Sequence, residues 1–159
     1  MKLKDRLEIL DLISNLAYMN DSIDEEGYRN LYTKDCIRSI RFQNGDPRVT
    51  EGREEGTKMA RVKMLAEQEI MDKHYYVNPI LKHFSDTQVI GKVNLLILNQ
   101  HLNEKIPRLA DTGLCDLVFK KTEYGWKISE FHVHLNTPEP RASINAPKQK
   151  TRPHETRAL

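Results

Sequence analysis

Between residues 3 and 20 apolar side chains recur at three- and four-residue steps: Leu3, Leu7, Leu10, Ile13 and Ala17, with Ile9, Leu12 and Leu16 widening the stripe. A turn of 3.6 residues lays such positions on one face, so the spacing predicts an amphipathic helix. Asp21 follows Ala17 by four and falls at the edge of that stripe. A second short helix is expected from about Asp24 to Tyr32, opened by acids that suit the N-terminal dipole, and Thr33-Lys34-Asp35 reads as a turn. Cys36 to Phe42 reads as a strand with Cys36, Ile40 and Phe42 on the face of Arg38, and Arg41 opposite. The run Gln43-Asn44-Gly45-Asp46-Pro47 is a turn. A third helix is expected from about Gly52 to Met71, with Met59, Val62, Leu65, Ala66 and Ile70 on its buried side. Then the period changes to two. His74–Leu81, Gln88–Leu102, Gly113–Thr122 and Trp126–Asn136 read as strands, separated by Ser85-Asp86, by Asn103 to Thr112 and by Glu123-Tyr124-Gly125.

Helices first and strands afterwards predict an α+β fold, with the helices on one face of a curved, mainly antiparallel sheet. The chain has 159 residues, room for one core. We divide it into a domain over residues 1–137 and a tail over 138–159. The tail holds four of the seven prolines and almost no large apolar residue, so it is expected to be loose, or to close over the domain.

Charge matters here through its placement. The tail from Glu139 carries five basic and two acidic residues; taking these from 25 basic and 23 acidic leaves 20 against 21. A near-neutral body argues against a nucleic-acid partner, which calls for Lys and Arg gathered on a folded face. No apolar run is long enough for a membrane helix, and acids come too early for a signal peptide. Cys36 and Cys115 have neither metal-type nor disulfide-type spacing. A cytoplasmic location without membrane contact is the expectation.

The gap-free stretch from Asp21 through Asp24, Tyr32, Thr33 and Asp35 to Cys36 resembles the N-terminal signature of SnoaL-like proteins of the nuclear transport factor 2-like superfamily. There an Asp ends the first helix, a second acid follows three on, and an aromatic-Thr-x-Asp turn precedes the first strand. His74 with Asn78 resembles the family's strand His-x-x-x-Asn, and Gly113 to Asp116 through Gly125 to Ile128 its closing hairpin. The resemblance spans about residues 5–136. It implies a cone-shaped barrel of curved sheet wrapped around the N-terminal helices, with one internal pocket. Relatives such as scytalone dehydratase and lindane dehydrochlorinase use a buried Asp–His pair to remove a proton so that water or halide leaves. Asp21 matches the acid and His74 the base. Scytalone dehydratase has a Tyr where this chain has Asn20; its second pocket His falls near Asn99, and its pocket Ser and Asn fall near Gly113 and Cys115.

Histidine titrates near neutral pH, as a general base should, and a carboxylate on the far ring nitrogen would fix its tautomer. Among the tyrosines near the pair, Tyr18, Tyr32 and Tyr76 are candidates to hold a developing oxyanion, with Asn78. Tyr76 shares the strand face of His74, which makes it the best placed. Of Arg38 and Arg41, at most one can reach a pocket. Asn99, Cys115 and His132 complete the expected substrate-binding set. His132 and His134 share a face with Glu130 and Ile128; a His-x-His pair can ligate metal, but no metal and no cofactor are expected. Asp116 and Trp126 read as structural. The expected activity is that of a cofactor-free lyase, dehydratase-like, on a small, mostly apolar carbonyl compound. An isomerase or cyclase is a near neighbour, because each begins with proton abstraction. The alternative from another class is a non-catalytic subunit, such as the small subunit of a ring-hydroxylating oxygenase. A homodimer or homotrimer built through the sheet is expected, because Val89–Leu98 and Trp126–Leu135 offer more apolar residues than one face of a small cone buries.

Overall fold

The first helix, α1 (Leu3–Asp21), turns a different stripe to the core from the one its leucines suggest. In the computed structural model, which describes residues 1–22, 24–58 and 70–138, Ile9, Ile13 and Leu16 are buried while Leu3 and Leu7 are exposed. The buried stripe begins at Asp5, whose carboxylate accepts the Trp126 indole N–H at 2.9 Å and lies 2.6 Å from the Lys121 ammonium. A paired carboxylate can enter a core that an unpaired one cannot. This rotation carries Asn20, four residues beyond Leu16, onto the inward face.

Helix α2 (Glu25–Asn30) is capped by Asp24, whose side chain accepts the Gly27 N–H at 2.8 Å. Strand β1 (Tyr32–Arg41) begins earlier than expected, so Thr33 to Asp35 belong to an irregular strand rather than a turn. The Gln43–Pro47 turn leads into a short strand missed in the sequence, β2 (Arg48–Glu51), antiparallel to β1. Residues 53–58 form the start of the third helix, α3. The expected face at Met59, Val62, Leu65 and Ala66 lies outside the described residues. Its expected end at Met71 is corrected: β3 (Ile70–Ser85) is already under way there. β4 (Gln88–His101), β5 (Arg108–Thr122) and β6 (Gly125–Leu135) follow, joined by short turns.

The sheet order is β2-β1-β6-β5-β4-β3. All neighbours are antiparallel except β1 and β6, which run parallel. The curved sheet is therefore mixed and does not close: β2 and β3 are its edges. Alternate residues of β4, β5 and β6 face α1 and form the core, with Val89, Val93, Leu117, Phe119, Ile128, Cys36 and Cys115 fully buried against Ile9 and Leu16. Burying each large aliphatic side chain is worth about 1.5–3 kcal/mol. A β-bulge in β3 between Val77 and Ile80 places Asn78 at φ 55°, a left-handed conformation that Asn tolerates, beside Pro79, which has no N–H for the ladder. An edge strand accepts both. No described helix is long and apolar enough to cross a membrane, and the tail from residue 139 lies outside the described residues.

Candidate active site

Between α1, α2 and the inner face of the sheet lies a cavity of about 340 Å³, at the small end of the range for ligand pockets. Its floor is apolar: Leu95 and Ile97 of β4, and Phe131, Val133 and Leu135 of β6. The edge pair β1–β2 contributes Arg38, Ser39, Ile40, Arg48 and Thr50, and Phe42 lies at its turn. Asn20, Tyr28, His74 and Tyr76 complete the wall.

His74 is on the inner face of β3 because its rung crosses Ile97, and it is only 9% exposed. Its Nδ1 lies 2.7 Å from Asp21 Oδ1 at the end of α1. The same carboxylate accepts the His74 backbone N–H, with both oxygens at 3.2 Å, so it is anchored to the strand it serves. The Lys73 ammonium stands 3.9 Å away on the solvent side. An ionised carboxylate only accepts, which puts the ring proton on Nδ1 and leaves a lone pair on Nε2. The Asn20 amide nitrogen covers the ring, 3.0 Å from Nδ1 and 3.3 Å from Nε2.

Tyr76 follows on the same face, its ring 6.5 Å from the imidazole and nearly parallel to it, and edge-on to Phe131 at 6.0 Å. Burial raises the Tyr76 phenol well above its ordinary value, with nearby Cys115 adding to the effect. It stays protonated, a hydrogen-bond donor at neutral pH. Arg38 lies across the cavity edge, its guanidinium 5.2 Å from the ring centres of both Tyr28 and Tyr32. The Tyr32 hydroxyl donates to that of Tyr28 at 3.1 Å, and burial raises the Tyr32 phenol also.

The structure thus brings Asp21 and His74 into contact and sets Tyr76 on the wall. It does not bring the other expected residues there. Tyr18 is 72% exposed, because the rotation of α1 turns it to solvent. Tyr32 is buried behind Tyr28, which lines the cavity in its place. The β3 bulge takes Asn78 out of the alternation that links His74 and Tyr76. Asn99 pairs with Asp72 and Arg108, beyond the cavity-lining Ile97. Cys115 is core, its thiol pushed up to about 12 by burial and then by the Asp116 charge.

His132 points to the outer face, 2.8 Å from Ser39 Oγ and 3.2 Å from Glu130 Oε2, and His134 pairs there with Asp116 at 3.1 Å. Ile128, expected on the face of these histidines, is wholly buried instead, because a bulge at Ser129 breaks the alternation. Among the described residues no three His, Cys, Asp or Glu side chains form a metal-type group. The residues missed were Asn20, Tyr28, Arg48 and Thr50. Asn20 was legible as the fourth residue after Leu16; the hairpin pair was hidden with its unrecognised strand.

Compared with known proteins, the chain matches the family profile of the SnoaL-like domain over residues 1–132. No functionally curated protein matches it. Among solved structures it is similar to ActVI-ORFA from Streptomyces coelicolor, with 20% identity, a TM-score of 0.70, and coverage of 82% of this chain and 96% of that one. Aln2 from a Streptomyces species has 10% identity and a TM-score of 0.70 over 84% and 91%. The beta subunit of a putative aromatic-ring-hydroxylating dioxygenase from Novosphingobium aromaticivorans has 16% identity and a TM-score of 0.67 over 81% and 87%. At such identities the likeness shows the fold.

Proposed function

The chain belongs to the SnoaL-like family, and from that premise we propose that it is a lyase of the dehydratase kind, working on a small, mostly apolar carbonyl compound without a cofactor. The observation that carries this reading is the 2.7 Å contact between Asp21 and His74 at the wall of a ligand-sized cavity. His74 Nε2 takes the proton from the carbon next to the carbonyl, and the C–H electron pair moves into an enolate. Asp21 holds the ring by Nδ1–H and stabilises the imidazolium that forms. The Tyr76 hydroxyl, protonated at neutral pH as a phenol is, donates to the enolate oxygen. Return of the electron pair expels a hydroxyl from the next carbon, which leaves as water with the proton that His74 holds. An isomerase would return that proton to another carbon, and a cyclase would turn the enolate on an internal carbonyl.

The non-catalytic reading would be served by an interior filled with Tyr and Phe side chains. The cavity, with an imidazole and a protonated phenol on its wall, favours the enzyme. The compartment expected from cysteine usage, the cytoplasm, and assembly into a homo-oligomer belong to the same proposal.

Proton abstraction is testable before the product is known. Carbonyl compounds with a β-hydroxyl are incubated with the protein in D2O, and deuterium gain and water loss are followed by mass spectrometry. The expected result is exchange or elimination in the wild type that His74→Ala abolishes. Exchange that persists undiminished in His74→Ala would overturn the proposal.

A further inference from the structure

Arg38 projects from β1 opposite Thr50 of β2, on the face that lines the cavity. Its Nε and Nη1 are buried and have no hydrogen-bond partner among the described residues. Around it stand the faces of Tyr28 and Tyr32 and the backbone of Gly56, so close that a Cβ there would come 2.7 Å from Nη1. Ring faces attract a cation but supply no negative charge. The described cavity lining contains no Asp and no Glu. The Asp21 carboxylate is engaged with His74.

A guanidinium keeps its charge at every pH at which proteins fold. Burying one whose Nε and Nη1 meet no partner among the described residues carries a cost. We propose that the cavity is built for a substrate bearing a carboxylate, which pairs with Arg38 and fixes which carbon faces His74. The inference rests on the cavity being the substrate site, and it adds the class of substrate. The apolar floor of Leu95, Ile97, Phe131 and Val133 holds the body of the molecule. The planar fork of Nε and Nη1 matches the two oxygens of a carboxylate, and the apolar floor beside it offers nothing to inorganic phosphate, which has no hydrocarbon body to bury. Tyr76 stands near enough to feel the Arg38 charge and also stacks on His74. A carbonyl compound anchored by a carboxylate at Arg38 therefore runs past Tyr76 toward Nε2.

The test uses 2-naphthoate and 2-naphthamide as probes, two ligands of nearly equal shape that differ in charge, titrated calorimetrically into the full chain. The wild type should bind the carboxylate at least about tenfold more tightly, the usual worth of a charge-assisted hydrogen bond. Arg38→Gln should erase the preference without weakening the amide, and Arg38→Lys should keep part of it. Inorganic phosphate at the same concentration should not displace naphthoate. Equal binding of the two probes by the wild type overturns the proposal, and needs no variant to fold. So does a preference that survives Arg38→Gln, or displacement by phosphate. His74→Ala should retain the preference. Carboxylate selectivity with no deuterium exchange would remove the catalytic reading and leave the anion site standing; exchange with no selectivity would do the reverse.

Discussion

Asp21 and His74 act through one hydrogen bond, so their variants should behave as one unit. His74→Ala removes the base and should lower exchange or elimination by at least about 10²-fold. Asp21→Asn keeps the shape, removes the charge behind Nδ1 and should lose nearly as much. The double variant should be little worse than either alone, because groups that work together do not lose independently. Rates measured on the four proteins with one substrate decide it, and additive losses would show that the contact at 2.7 Å is structural. The two thiols give a separate check on burial. Cys36 and Cys115 are sealed in the core, which raises both thiols, Cys115 to about 12. Neither should react with a disulfide reagent in the native protein, and both should react after denaturant is added; one rapid native thiol would contradict the described core. At this scale the pair was legible through the resemblance, which matched Asp21 at the end of α1 and His74 in a His-x-x-x-Asn strand; His74 does not open its strand, since β3 starts at Ile70. Tyr18 was not, since its direction depends on which stripe of α1 faces in. Asn78 was misplaced because a bulge resets the alternation of β3.

The rotation of α1 shows how an element is set by partners far away in the chain. Leucines at positions 3 and 7 advertise one face, but Asp5 takes the buried side because Trp126 and Lys121 wait on β6 and β5 to receive it. Nothing in residues 1–20 announces that. The strands of the second half were plain from their period of two, whereas β2 is too short to show one and appeared only as the far side of a turn. The Asp5 cluster has a pH consequence. Its carboxyl is lowered to about 2, first by the hydrogen bond from Lys121 and then by that from Trp126. A depressed folded value means that this stabilisation is full above the unfolded value near 3.8 and fades as pH falls toward 2. Unfolding midpoints followed by fluorescence of Trp126, the one tryptophan, should therefore fall between pH 4 and 2, and Asp5→Asn should flatten that part of the curve. A variant whose midpoint falls as steeply as the wild type over the same interval would show that other carboxylates carry the acid sensitivity.

At the scale of the molecule the outer face of the sheet remains to be covered. The strands on which an oligomer was expected to rest turn most of their apolar residues inward: Val89, Val93, Leu95, Trp126, Phe131 and Val133 are all buried in the single chain. β6 shows Glu130, His132 and His134 on the outside, tied to Ser39 and Asp116. The apolar surface lies instead on β3, β4 and β5, where Tyr75 aligns with Leu96 and Lys73 aligns with Leu98 and Leu109, while Val77 leads across Asn94 to Leu114. Tyr75, Leu109 and Leu114 are half exposed. A patch of this kind, rimmed by the charged groups of β6, Lys92 and Asp116, has the anatomy of a protein interface. A second copy of the chain is the occupant we expect, since a two-fold axis sets this patch against the same patch of the partner, each residue meeting its counterpart across the axis in reciprocal pairs. Sedimentation at micromolar protein should give twice the 18.6 kDa of one chain. Leu114→Glu would bury a carboxylate from each chain in the apposed patches and should return the protein to monomer. Its thermal midpoint as a monomer should still show a cooperative fold, because Leu114 contributes little to the core of its own chain. A wild type that sediments as a monomer refutes the dimer, and a Leu114→Glu protein that stays dimeric moves the interface to another face.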